Sequence, residues 1–200
     1  MSRQPAPTPG KDLSEFPVAT LEKATHVYRA HRPDFGPCFF NGTPAFRFNL
    51  LSGRGTSYVA DNVETAVREK LREDVLGHSL IPASMAREFV VAAVLMDRSF
   101  ACANVNHAAA VRHGVSRRLE SMDDYDVPQK WAAAFDAAGF EGVRYGSSFT
   151  NGEENSWALF GEEGEHAFGS VTASLSGIAA CQVAGIQVYE QPHSDELDTV

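Results

Sequence analysis

Two arginines stand inside apolar stretches of this 200-residue chain, Arg29 directly behind Val27-Tyr28 and Arg47 between Phe46 and Phe48. A guanidinium beside an apolar wall needs a partner, and a diphosphate answers through forked hydrogen bonds. An arginine that points out of its strand, or pairs with one of the 26 acidic side chains, fits the same spacing. On the residues alone that blander account is the better one. Glu69 poses the opposite problem. Val63, Val67, Leu71 and Val75 recur every four residues and mark the apolar stripe of a helix. Glu69 falls almost opposite that stripe, on the face that periodicity gives to solvent. It can act only if that face lines a cleft, and nothing in the pattern sets it above Glu64, Glu73 or Glu88.

Other chemistries find less support. None of the seven histidines pairs at i, i+4, and there is no HExxH, so structural or solvated histidines are expected and no metal site. Gly53 and Gly55 are not followed by the Lys-Ser or Lys-Thr of a phosphate-binding loop. Ser147, in Gly146-Ser147-Ser148, lacks the second glycine of a nucleophile elbow. Cys38 near His31 is a weak cue, because buried free cysteines are common.

The elements that must position these residues read as follows. Strands are expected at Thr25 to Ala30, Phe46 to Phe48 and Ser57 to Ala60, where apolar and polar residues alternate or β-branched and aromatic residues gather. A turn-rich stretch holds Pro33, Asp34, Gly36 and Pro37, followed by Cys38-Phe39-Phe40 and the Asn41-Gly42 turn signal; Ser52 to Gly55 reads as a loop. Asp61 is the expected N-cap of the helix that carries Glu69, with Glu64 three positions on as in a capping box. Phe89 to Met96 is short and valine-rich, which favours a buried strand. Pro128 to Ala138 reads as a helix with proline at its start and Gly139 at its end. Further strands are expected at Gly142 to Tyr145, Ser156 to Phe160 and Gly185 to Glu190. Strands first, helices inserted and strands last predict an α+β fold.

Bulk properties bound the rest. An apolar fraction of 44% and a charged fraction of 22% suit one globular domain with its own core. Residues 1–18 carry four prolines and read as a flexible lead-in, residues 19–190 as the domain, and residues 191–200 as a fraying acidic tail. A net charge of −9 and the lack of a basic run argue against nucleic acid as a partner, while leaving room for a local basic pocket. Cys38, Cys102 and Cys181 are odd in number and form no CxxC pair, so reduced thiols in the cytoplasm are expected. No apolar run is long enough to span a membrane, and Met1 to Gly10 offers no signal-peptide core.

An ordered series of short motifs adds to this reading. Val27-Tyr28-Arg29, Asp34-Phe35-Gly36-Pro37, Phe46-Arg47-Phe48-Asn49, Ser57-Tyr58-Val59-Ala60 and Thr65-Ala66-Val67-Arg68-Glu69 come in that order. Ala137 to Ser148, containing Gly139-Phe140-Glu141-Gly142-Val143-Arg144-Tyr145-Gly146-Ser147, and Asn155 to Phe160 follow. The series resembles the RES domain, named for its arginine, glutamate and serine, over about Thr25 to Phe160. The resemblance implies an ADP-ribosyltransferase-like mixed sheet with peripheral helices. It implies a toxin that depletes NAD by cleaving off nicotinamide, with phosphate or water as acceptor and an Xre-type antitoxin as partner. NAD would be the substrate, with no further cofactor. Carried over by position, the named arginine falls on Arg29, the glutamate on Glu69 and the serine on Ser147, while Arg47 and Tyr58 match additional pocket positions. The residues after Ser147, often basic in such domains, are Ser148 and Phe149 here. Two other functions keep the same fold: transfer of ADP-ribose to a protein or metabolite, and nucleotide binding without catalysis.

Overall fold

The computed structural model of the chain describes residues 4–51, 53–150 and 154–190; the acidic tail at 191–200 lies outside them. Its strands are β1 (Val18–Leu21), β2 (His26–His31), β3 (Phe39–Phe40), β4 (Arg54–Ala60), β5 (Leu80–Pro82), β6 (Val90–Met96), β7 (Phe100–Asn104), β8 (Gly142–Gly146), β9 (Asn155–Glu162), β10 (Gly164–Glu165), β11 (Gly169–Ser176) and β12 (Gln187–Tyr189). The helices are α1 (Val63–Leu71), α2 (Ala83–Ala86), α3 (Arg118–Ser121), α4 (Asp126–Ala137) and α5 (Gly177–Val183). Eight strands form one sheet in the order β1-β7-β8-β9-β4-β2-β6-β11, antiparallel throughout except for the parallel pair β7–β8. The architecture is the expected α+β fold with a mixed sheet.

Both faces of the sheet are covered, and strand periodicity assigns the cover. In β9, Ala158 and Phe160 join a cluster with Trp131 and Phe135 of α4, whereas Trp157 and Leu159 point into a cluster with Val94, Met96 and Phe100. Val67 and Leu71 of α1, with Val75 beyond it, pack with Val91, Ala180 and Cys181 in a third cluster, so the predicted apolar stripe is the buried one.

The sheet splays at its middle. β4 and β9 pair over seven residues and β2 and β6 over six, but β2 and β4 meet only at Tyr28↔Ala60. Beyond that point the strands diverge, and the opening holds the candidate site. The segment with β3 takes up the edge of β4 that β2 leaves free, through the Asn41↔Thr56 bridge. Gly55 permits that approach: a Cβ there would stand 2.7 Å from the Phe40 backbone.

Several expectations need correction. Phe46-Arg47-Phe48 is a bend and turn, not a strand, because the Phe48 N–H is bonded by the Tyr58 hydroxyl at 2.9 Å and the Phe48 carbonyl by Thr56 Oγ1 at 3.0 Å, so neither is left for a ladder. Arg54 and Gly55 belong to β4, not to a loop. The cap of α1 is Asn62, whose side chain accepts from Thr65 N at 2.8 Å. Asp61 instead accepts from Trp157 Nε1 at 2.7 Å and from Asn155 Nδ2 at 2.9 Å, tying the end of β4 to β9. Within residues 4–16 the lead-in is anchored where flexibility was expected. Leu13 and Phe16 are buried, Gln4 bonds Gly114 O and Ser116, and Trp131 Nε1 donates to Pro5 O.

Candidate active site

A cavity of about 430 Å³ opens where β2 and β4 part, a size usual for a small-molecule site. Four of the five sequence-selected residues line it: Arg29 from β2, Arg47 from the turn after β3, Tyr58 from β4 and Glu69 from α1. Ser147 follows β8 and reaches the site through a hydrogen bond to Glu69. The fold therefore gathers all five.

Glu69 lies on the helix face that periodicity gave to water, and the reason is visible one turn earlier. Thr65 is fully buried although it also lies opposite the valine stripe. α1 is thus embedded on two sides, with short Thr65 and Ala66 letting the sheet come close and Glu69 facing the opening. Burial pushes the Glu69 carboxyl above the usual glutamate range, while the Ser147 hydrogen bond and the Arg47 and Arg72 charges pull it back. Its Oε1 is buried and has no hydrogen-bond partner.

Arg47 carries the matching vacancy. Its Nη2 donates to Met122 O at 3.3 Å and its guanidinium lies 5.5 Å from the Tyr125 ring centroid, but its buried Nε has no acceptor. Arg29 donates through Nη1 to Pro37 O at 2.9 Å and to Ser57 Oγ, which fixes the 33–37 turn against β4. Burial pushes its pKa down to about 10, still far above neutrality.

Tyr58 is placed differently from a group that bonds substrate through its hydroxyl. The hydroxyl donates to Asn49 Oδ1 at 2.9 Å and accepts from Phe48 N at 2.9 Å. It pins the turn that carries Arg47 and leaves the ring to face the cavity. Ser147 Oγ accepts from Phe149 N at 3.1 Å, and among the described residues no histidine is hydrogen-bonded to it. The end of β8 is held from behind by Glu120, a buried carboxylate that accepts from Gly146 N at 2.5 Å.

Electrostatically the cavity inverts the molecule. Arg29, Arg32, Arg47, Lys70 and Arg72 line it against a single carboxylate, Glu69, in a chain of net charge −9. Among the described residues no carboxylate forms an ion pair with Arg29, Arg47 or Arg72, whereas Arg32, Arg54, Arg68, Arg87 and Arg98 each have one. Sequence reasoning missed Arg72, Tyr125 and Glu120. Arg72 sits in a charged run that reads as solvated helix, and the two others lie in stretches with no periodic signal. Among the described residues no three His, Cys, Asp or Glu side chains form a group that could hold a metal ion.

The RES domain family model matches residues 26–179. The chain belongs to the RES domain family. The RES match begins at the first residue of β2, ends within α5, and contains all five selected residues. A chain of the crystal structure of the M. tuberculosis MbcT–MbcA toxin–antitoxin complex has a similar fold, with a TM-score of 0.63 and 15% identity. The likeness covers 83% of this chain and 92% of that one. Comparison with curated proteins gives no match. No helix among the described residues of this RES protein is long and apolar enough to cross a membrane.

Proposed function

We propose that this RES protein is an NAD-degrading toxin that cleaves the nicotinamide–ribose bond and passes the ADP-ribose to phosphate or water. The observation that carries the reading is the pair of unsatisfied buried atoms, Glu69 Oε1 and Arg47 Nε, in a cavity where Arg29, Arg47 and Arg72 form no ion pair among the described residues. A buried polar atom without a partner costs about 1–3 kcal/mol, so an occupant that offers a donor to one and an acceptor to the other is favoured. A ribose hydroxyl and a phosphate oxygen of one dinucleotide meet both needs.

In this reading the C1–N bond breaks with its electron pair leaving on the nicotinamide nitrogen, which neutralises the pyridinium. Positive charge develops on the ribose ring, and the Glu69 carboxylate stabilises it. Ser147 holds Glu69 in place and is not given a nucleophile's role, since among the described residues none of its hydrogen bonds is to a histidine. Arg29 and Arg47 hold diphosphate oxygens, and the Tyr58 ring stacks on the nicotinamide. Membership of the RES family supports the reading. The neighbouring structure, a toxin–antitoxin complex by its title, supports an antitoxin partner, for which an Xre-type protein is our proposal.

The test replaces one oxygen by nitrogen. Glu69→Gln should fold normally and lose NAD consumption by about 10²–10³-fold, the scale of losing one charge-stabilising group. Turnover retained in that variant would remove Glu69 from the mechanism. Incubation with NAD as the sole added reactant separates the alternatives: free nicotinamide supports NAD destruction, whereas turnover only after an acceptor protein is added supports ADP-ribosyl transfer.

A further inference from the structure

Glu120 grips the chain on both sides of Ser147. Before the serine, its side chain accepts from Gly146 N at 2.5 Å. After it, the Ser148 hydroxyl donates to Glu120 O at 2.8 Å. That carbonyl is free to accept because α3 ends one residue later, at Ser121, and the last carbonyls of a helix have no partner within it. Gly146 lets the carboxylate reach the backbone, since a Cβ there would stand 3.0 Å from Glu120 Oε2 and 3.2 Å from Asn106 Nδ2. Asn106 completes the clamp. With its amide nitrogen toward the carboxylate, it donates to Glu120 Oε2 at 2.7 Å, and its oxygen accepts from Gly146 N at 2.7 Å.

Between these grips Ser147 has little freedom. Phe149 N donates to its Oγ at 3.1 Å, and its own proton goes to Glu69. That bond favours the ionised carboxylate against the burial that opposes it. Arg47 and Arg72 act on Glu69 in the same sense, and the Tyr58 and Tyr145 hydroxyls complete its titratable surroundings. Glu120 is itself buried, with Arg117, Arg47 and Asn106 facing it. The hydrogen bonds that offset the burial of its carboxylate go to Gly146 and Asn106, beside Ser147.

We propose that Glu120 is a positioning residue: by holding Gly146 and Ser148 it sets Ser147 and, through Ser147, the Glu69 carboxylate. This rests on the NAD reading for the task of Glu69, but not for the linkage among the three residues. It also gives each member of Gly146-Ser147-Ser148 a separate role. The glycine admits the carboxylate, the first serine bonds Glu69, and the second closes the clamp.

The test follows the Glu69 carboxyl carbon by NMR across pH in the full chain without NAD, with Glu69→Gln identifying the signal. Glu120→Ala and Ser147→Ala should each raise the Glu69 pKa, and the double variant should raise it no further than Ser147→Ala does. The sign discriminates, because loss of a nearby negative charge lowers that pKa whereas loss of the Ser147 donor raises it. Glu120→Gln, which keeps an acceptor for Gly146 N, should bring the value back towards that of the wild type. With NAD present, Glu120→Ala should lower kcat about tenfold and leave KM little changed, the scale of one lost hydrogen bond. A Glu69 pKa that stays or falls in Glu120→Ala, or shifts that add in the double variant, would overturn the proposal. Ser148→Ala, at an exposed position, serves if Glu120→Ala does not fold: it should also raise the Glu69 pKa, and no rise would overturn the clamp. The expected shifts in a protein that never consumes NAD would sink the NAD reading and keep this linkage.

Discussion

Glu69 concentrates the electrostatic conflict of the molecule in one carboxyl. Burial raises its pKa and three neighbours lower it, with burial the stronger. A carboxyl with a raised folded-state pKa adds stability that is fully present below the unfolded value of about 4.3 and lost as pH rises through the folded value. At neutral pH its ionised form therefore opposes folding. Glu69→Gln should melt at or above the wild-type temperature at pH 7, and the difference should vanish near pH 4, where both side chains are uncharged. Calorimetric melts across that range check this; a variant less stable at pH 7 than at pH 4, relative to wild type, would contradict it. Activity should fall on the acid side at a pH above that of an ordinary glutamate. Arg47→Gln should move that limb higher still, because it removes a cation that favours the carboxylate. At this scale the sequence was half legible. The valine stripe located α1 correctly but assigned Glu69 to water, because two-sided burial through Thr65 and Ala66 leaves no apolar periodicity to read.

The elements act as a set of braces around a gap. β4 supplies Tyr58, whose hydroxyl fixes the turn of residues 46–49, and that turn supplies Arg47. Tyr58→Phe should keep the ring face while losing both hydrogen bonds, at a cost of about 1–3 kcal/mol in stability. Its effect on NAD should appear as weaker binding from a loosened Arg47, measurable as a raised KM; an unchanged KM would detach Tyr58 from that role. The end of α1 stores a second cost, since a non-glycine residue at φ 52° carries about 1–3 kcal/mol of strain. The strands flanking the gap were readable from alternation and β-branched content. The strand expected at Phe46-Arg47-Phe48 failed because alternation cannot reveal that side chains on β4 have taken its backbone groups. β7 and β11 gave too little contrast: Phe100–Asn104 mixes small and polar residues, and Gly169–Ser176 is exposed along most of its length.

Across the whole molecule, an acidic exterior surrounds a cationic cavity. Net charge −9 repels anions at long range, while Arg29, Arg47 and Arg72 make a locally positive cavity. The composition gave the first half of that statement, and only the three-dimensional grouping of distant arginines gives the second. The lead-in belongs to the core on the α4 side, where Phe16 stacks 4.8 Å from Phe135. Its four prolines suggested slack, whereas Leu13 and Phe16 are each buried at 2% exposure. Deletion of residues 1–17 should uncover that cluster and cost at least about 3 kcal/mol from these two side chains alone. Thermal melting of the truncated chain checks it, and an unchanged midpoint would return the lead-in to the solvent.

The central claim is that this chain breaks the nicotinamide–ribose bond of NAD by itself. The direct measurement is proton NMR of purified protein with NAD, in parallel samples with and without inorganic phosphate and with no other protein present. Free nicotinamide should appear in step with the loss of NAD, and Glu69→Gln should leave the dinucleotide intact. Where phosphate is the acceptor, the rate should rise with phosphate and the product should carry a new phosphate ester at ribose C1; where water is, free ADP-ribose should accumulate. NAD that survives unchanged in every wild-type sample would contradict the account.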